Sequence, residues 1–390
     1  MGGREIIINT DIIVPFINLQ AKYAAHKDEI DLAVYDCIAN ANFINGPEVK
    51  IFQQELADFL AVKHVIGCAN GTDALQIALM CLDLQPGDEI IIPAFGYVSP
   101  AEVATLLKFK PVFADVDPFT YNLDINKLEG YITKRTRAII PIHLFGQGAE
   151  MEAIMAIANS YNIPVIEDTA QALGTSYHYS NGNQQHLGTI GQIGCTSFFP
   201  TKNLGCYGDG GALFTNDDNL AKKIKMIANH GQSEKYTYEQ VGVNSRLDSL
   251  QAAILSVKLN YLQSENDHRK EIAAQYNQFF STISEIIYPQ KVSFSDHNYH
   301  QYSIVLPSKK IRNELKEYLA ANHIASMIYY PKPLHVQQAF NPLGYKEKDF
   351  PVSELLCDTI LALPIYPELI QQQIDHILST ISRFDFTKDE

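Results

Sequence analysis

Lys202 lies in the stretch "SFFPTKNLGCYGDGGALFTND", between two apolar runs and just ahead of four glycines within seven residues. A lysine that acts as a covalent amine must be partly unprotonated, which requires desolvation or a cationic neighbour. A glycine-rich turn lets backbone pack closely around it. A solvated turn lysine is the plain alternative, but the flanking "SFF" and "GALF" runs read as buried. Three other places follow apolar, strand-like runs. After "HVIGC", Gly71 and Thr72 open a helix whose free amides and positive dipole end can hold a phosphate, or can simply be capped. After "IPVIE" come Asp168 and Gln171, where a carboxylate could bind a metal, cap a turn or pair with a cationic heterocycle. After "DEIIIP", Tyr97 offers either a flat face to an aromatic ligand or plain core packing. Any one of these is weak alone. Taken together, a phosphate cradle (Gly71, Thr72, Ser197), a stacking face, a carboxylate and an amine match what pyridoxal 5′-phosphate requires.

These residues must be positioned by a regular scaffold, and the chain predicts one. From about residue 47, helical and strand patterns alternate. "PEVKIFQQELADFLAV" places Val49, Phe52, Leu56, Phe59 and Leu60 at amphipathic-helix spacing. The runs "HVIGC", "DEIIIP", "KPVFADV", "RAIIPIHLF" and "IPVIED" are nearly continuous apolar strands separated by helical segments. Such strands imply a mostly parallel sheet covered on both faces, whose ligands bind at the strand carboxyl ends. Beyond Asp217 the pattern shifts to long helices, including a single span "SRLDSLQAAILSVKLNYLQSENDHRKEIAAQYNQFF". A smaller α+β unit follows, with strands expected at "QYSIVLP" and "IASMIYYP" around the helix "KKIRNELKEYLAANH". The expected division is an N-terminal arm and helix over 1–45, a large α/β domain over 46–262 and a small C-terminal α+β domain over 263–390.

Composition narrows the class. The chain has 390 residues, 46% hydrophobic and 19% charged, a globular balance with room for more than one folding unit. The net charge of −14 argues against a nucleic-acid surface, so an anionic substrate would need local basic residues. Six scattered cysteines with no C-x-x-C pair, and no His cluster at ligand spacing, point to buried thiols in a reduced cytoplasm and to no metal site. The opening "MGGREIIINTDIIVPF" is too short and too polar for a signal peptide or membrane span. Ile6 also stands where an acylation signal needs Ser or Thr.

From "FINLQ" to about Leu369 the chain resembles the DegT/DnrJ/EryC1/StrS sugar aminotransferases, fold-type I pyridoxal-phosphate enzymes. The carriers are "NGPEVKIFQQELADFLAVKHVIGCANGTDALQIAL", "IPVIEDTAQALG", "TSFFPTKNLGCYGDGGALFTND", "HGQ", "VGVNSRLDSLQAAIL" and "YYPKPLH". The resemblance implies a large domain with a mostly parallel central sheet flanked by helices, plus a smaller α+β domain. It implies that Lys202 carries the cofactor as an internal aldimine, that Asp168 pairs with the pyridine nitrogen, and that Gln171 approaches the phenolic oxygen. Tyr97 would stack on the ring. Thr72, Asp73 and Ser197 would contact phosphate beside Gly71, and Asn244 would reach it from the second subunit of a homodimer. Arg246, Tyr330, Lys332 and His335 would meet substrate, although "YYPKPLH" equally fits domain packing.

The activity implied is transfer of an amino group from L-glutamate to a nucleotide-linked keto-sugar, with freed Lys202 moving the proton, in surface polysaccharide (lipopolysaccharide O-antigen) or amino-sugar biosynthesis. "NLGCYGDGG", "TYNLD" and "VGVNSRLD" are similar to the 3-keto branch, either UDP-linked uronic acids or dTDP-linked 6-deoxyhexoses, rather than the 4-keto branch. Two departures bear on the sugar pocket. Gly96 and Pro100 stand where Thr is common, and a longer polar loop spans 177–193. A sugar dehydratase would carry His in place of Lys202. A non-catalytic regulatory relative should have lost Lys202 or Asp168. A nicotinamide oxidoreductase should show G-x-G-x-x-G after an early strand, which is absent here.

Overall fold

A computed structural model describes residues 12–386, so the reading of the opening segment lies partly outside the described residues. The amphipathic helix forms over Pro47–Leu60, with proline at its first position, a left-handed Ala61 at its end, and Val49, Phe52, Leu56 and Leu60 buried. The strands follow in chain order: β1 His64–Cys68, β2 Glu89–Pro93, β3 Lys110–Ala114, β4 Thr136–Ile139, β5 Ile166–Asp168, β6 Ile193–Ser197 and β7 Gly211–Thr215.

Parallel bridges at Ile139–Val165 and Ile142–Asp168 connect β4 to β5. The layer therefore runs β3-β2-β4-β5-β6-β7-β1. β2 is parallel to β3 and β4, and β5 to β6, while β7 runs antiparallel to both β6 and β1. The sheet is mostly parallel because helices return the chain to the same edge. It is hydrophobic on both faces: along β2, Ile90 and Ile92 enter one core and Ile91 the opposite one.

A second core gathers Ile272, Tyr276 and Phe280 with Tyr302, Ile304, Ile311, Leu361, Leu363 and Ile377, and takes in Val14. Here three expectations are corrected. "IASMIYYP" is not a regular strand: Ile324 and Met327 make only isolated bridges, and the chain then turns so that Tyr329 and Tyr330 border a cavity. The partner of β8 (Tyr302–Val305) is instead β9 (Ile360–Leu363), antiparallel, from the run "ILALPIYP". The long helical span divides at Asn260–Tyr261 into Ser249–Leu259 and Leu262–Phe280, where Tyr261 stacks on His26 at 3.8 Å. The polar loop before the lysine strand contains a hairpin, Ser176–His178 against Gln184–His186. Leu334, Phe340 and Phe350 pack into the core of the large sheet, so the chain returns to that domain after leaving it.

All six cysteines are free and buried. Burial pushes the Cys206 thiol up to about 11 and that of Cys81 to about 12, which keeps both protonated and inert. Among the described residues no helix is long and apolar enough to cross a membrane.

Candidate active site

At the carboxyl ends of these strands lies a cavity of about 780 Å³, bordered by Gly71, Thr72 and Asp73, by Tyr97, by Asp168 and Gln171, and by Ser197, Lys202 and Tyr330. The strand-end rule thus brings together the residues that sequence spacing pointed to.

One end of the cavity is built from the start of the helix Gly71–Met80, which packs behind β6. Asn70 caps it by accepting the Asp73 amide at 2.8 Å. That amide is therefore committed to the cap, leaving those of Gly71 and Thr72 at the helix start for an anion. The Thr72 and Ser99 hydroxyls share a 2.7 Å hydrogen bond. A Cβ at Gly71 would stand 2.7 Å from the Ser197 Cβ, so only glycine lets the helix start approach the end of β6.

Asp168 ends β5, registered by its own amide to the Pro141 carbonyl at 2.9 Å and by its carbonyl accepting the His143 amide at 3.0 Å. Burial pushes its carboxyl up. The Ala170 amide, which donates to Oδ1 at 3.0 Å, opposes that shift, as do Lys202 and His143. A cationic heterocycle at its open oxygen would remove the remaining cost of ionisation. Next to it, Glu167 is fully buried yet satisfied, accepting the amides of Gly188, Ile190 and Gly191 at 2.6–2.9 Å. It also pairs with His143 Nε2 at 2.9 Å, while His143 Nδ1 accepts the Ala149 amide. The strand end that carries Asp168 is thereby rigid.

Lys202 follows β6 in a turn closed by its amide on the Phe199 carbonyl at 2.8 Å. Burial lowers its pKa and the nearby Asp168 carboxylate partly restores it, the balance needed for an amine that works as nucleophile and base. Gln171 is fixed at both ends of its amide. Its Oε1 accepts the Phe145 amide at 2.7 Å, and its Nε2 donates to the Tyr330 hydroxyl at 3.1 Å. Tyr97 leaves 57% of its surface open, 6.4 Å from the Tyr330 ring.

Four expected site residues lie elsewhere in this chain. Asn244 and Arg246 are together, with Arg246 donating to the side-chain oxygens of Asn244 and Asn229. Arg246 borders a second cavity of about 480 Å³ with Lys50 and Lys225. Lys332 is exposed. His335 is completely buried, 3.1 Å from Glu354 and edge-on to Phe350, so here "YYPKPLH" serves packing at its C-terminal end. Sequence reasoning missed Ser99, His300 and Tyr329 on the cavity wall. Ser99 could have been found from its place two residues after Tyr97. The other two come from the small domain and carry no strand-end signal.

The residues present fit pyridoxal phosphate. An amine of lowered basicity, a buried carboxylate with an oxygen to spare and a glycine-lined anion cradle border one space of sufficient size. The sequence model of the DegT/DnrJ/EryC1/StrS aminotransferase family matches residues 24–382. The chain is 43% identical over 373 residues to the UDP-2-acetamido-2-deoxy-3-oxo-D-glucuronate aminotransferase of Pseudomonas aeruginosa, covering 95% of this chain and 100% of that protein. It is 42% identical over 373 residues to a pleiotropic regulatory protein of Geobacillus stearothermophilus, covering 95% and 98%. Among solved structures it is similar to Bacillus subtilis NtdA with bound cofactor PMP, with a TM-score of 0.88, 28% identity, and coverage of 96% of this chain and 86% of that one.

Proposed function

Since the chain belongs to the DegT/DnrJ/EryC1/StrS aminotransferase family, we propose that it moves the amino group of L-glutamate to a UDP-linked 3-keto sugar, most nearly a 3-keto uronic acid, as a cytoplasmic homodimer serving surface polysaccharide synthesis such as O-antigen. The observation that carries this reading is the convergence of Lys202, Asp168 and the Gly71 helix start on one cavity. The enzyme is an aminotransferase whose cofactor is pyridoxal phosphate. That cofactor supplies an electron sink for the bond to the substrate α-carbon.

This chain's residues do the rest. The Gly71 and Thr72 amides with the Thr72 and Ser197 hydroxyls hold the phosphate. Asp168 keeps the heterocycle protonated, Gln171 fixes its oxygen edge with Tyr330, and Tyr97 covers its face. Lys202, kept basic enough to take a proton but not locked as an ammonium, would take it from the α-carbon of glutamate in the first half of the reaction and, in the second, give one to the former keto carbon of the sugar from the same face. Asn244 and Arg246 of each chain serve the other subunit's site, Arg246 against an anionic group of donor or sugar. Lys332 completes the substrate side where the small domain closes.

The 3-keto assignment is supported by the similarity to the Pseudomonas enzyme. The regulatory reading suggested by the Geobacillus relative's name is disfavoured because Lys202 and Asp168 are both in place. The test is the visible absorbance of purified protein, borohydride trapping mapped to Lys202, and glutamate-dependent amination across UDP- and dTDP-linked 3-keto and 4-keto sugars. A colourless protein that leaves glutamate untouched would end this reading, and preference for a 4-keto sugar would end its substrate half.

A further inference from the structure

Between the end of β6 at Ser197 and the start of β7 at Gly211 the chain forms neither helix nor strand, and Lys202 lies in that stretch. Backbone groups there have no ladder to bond, so their partners must come from elsewhere. At two carbonyls just beyond Lys202 the partners are buried amines. Lys22 Nζ, on the short helix Leu19–Ala25, donates to the Asn203 carbonyl at 2.9 Å, and Lys258 Nζ donates to the Gly205 carbonyl. Asn203 is held at its side chain as well: Nδ2 donates to Asn266 Oδ1 at 2.7 Å, and Oδ1 lies 2.7 Å from His300 Nδ1. A Cβ at Gly205 would stand 2.5 Å from the Pro200 carbonyl oxygen, so the turn also folds tightly onto its own start.

Lys22 is the unexpected member of this set, because it comes from the N-terminal arm. It is 3% exposed, and its ammonium rests on Glu265 Oε2 at 3.0 Å, with His26 Nε2 3.6 Å from the other carboxylate oxygen. Burial pushes its pKa down, and the Glu265 carboxylate opposes that shift. A buried ion pair adds little stability over apolar side chains of the same shape, so its contribution is sought in the geometry it fixes. Lys22 does not border the cavity, and the backbone it grips belongs to the residue that follows Lys202. We propose that Lys22 is a positioning residue for Lys202: its ammonium, seated on Glu265, anchors the Asn203 carbonyl and so holds the turn that aims the reactive amine into the cavity. This inference rests on the aminotransferase reading of the site.

Two variants separate this role from that of a buried charge. Lys22→Gln keeps two N–H donors, for the Asn203 carbonyl and for Glu265, whereas Lys22→Met combined with Glu265→Gln removes the anchor and leaves no unpaired charge behind. The double variant is expected to lower kcat about tenfold to hundredfold, as a displaced base does, with KM for glutamate little changed, and Lys22→Gln to retain most of the parental kcat. Hydrogen–deuterium exchange of the full chain reads the same anchor without turnover. The Lys202 and Cys206 amides, bonded to the Phe199 and Phe198 carbonyls at 2.8 Å, should exchange about tenfold faster in the double variant, with the amides of β6 and β7 unchanged. Parental kcat or parental exchange of these amides in the double variant overturns the proposal, as does equal impairment of the double variant and Lys22→Gln. Should the double variant fail to fold by circular dichroism, exchange in the parent decides: these two amides must be as protected as those of β6, and loop-like exchange refutes the anchor. If instead the parent shows no visible band and no trapped lysine, the aminotransferase reading itself has failed, a result on which the exchange measurement does not depend.

Discussion

The floor around Lys202 and the face carrying Asn244 and Arg246 both present polar side chains beside a cavity, but they are finished to different degrees. On the floor, Asp168 and Gln171 stand at the end of a buried strand and have their orientation fixed by backbone amides, those of Ala170 and Phe145. On the face, Arg246 rests on two amide oxygens, and among the described residues no carboxylate pairs with it. Earlier in the same segment of chain, Tyr236, Tyr238 and Val241 are 76%, 60% and 85% exposed. A guanidinium with no counter-charge supports the proposal that this face belongs to a site shared between subunits. One region is complete within the polypeptide, and the other makes sense as part of a shared site.

The sharpest way to break this contrast is at the floor. Lys202→Ala should cost about 10⁴-fold in turnover and abolish borohydride trapping, since it removes both attachment and base. Asp168→Asn should cost about 10²-fold in turnover while cofactor is retained, read from kcat beside the visible absorbance of the dialysed protein. At the face, Arg246→Ala should raise KM by about tenfold to hundredfold, the value of one charge-assisted contact. If the site is shared, coexpressing Lys202→Ala with Arg246→Ala chains should restore about a quarter of parental activity through hybrid dimers. No recovery would show that each chain uses its own Arg246. Tyr97→Ala should be milder, weakening cofactor retention about threefold to tenfold in a dialysis series.

The smallest effect lies behind the floor. Burial holds Lys258 down to about 7, beside Lys22, with its amine on the Gly205 carbonyl. Between that value and the usual lysine range, the unfolded chain binds more protons than the folded one, so this group makes stability rise with pH above about 7. Lys258→Met should flatten that rise in Tm measured from pH 7 to pH 9, and an unchanged slope would remove Lys258 as its source.

Much of the floor was legible because strand ends are marked in the chain. Apolar runs of β-branched residues stop, and Gly71, Tyr97, Asp168 or Lys202 comes next. The C-terminal domain was harder. "IASMIYYP" has strand composition, but Tyr329 and Tyr330 are drawn to the cavity, while "ILALPIYP", interrupted by Pro364 and ended by Pro367, is the run whose first four residues pair with β8. His335 read as a substrate residue, but Phe350 and Glu354, near in space and distant in sequence, hold it in the interior.

By itself the sequence determined the alternating scaffold, the strand-end chemistry and the cofactor those residue types call for, because periodicity and residue type act locally. Only the tertiary structure decided which long-range partners complete the site. Phe145 and Tyr330 grip Gln171, and Asn266 and Asn203 link the Leu173 carbonyl to the His300 ring on the cavity wall. Such contacts join residues as much as 159 positions apart. They are set by how packed layers meet, and no local pattern encodes that.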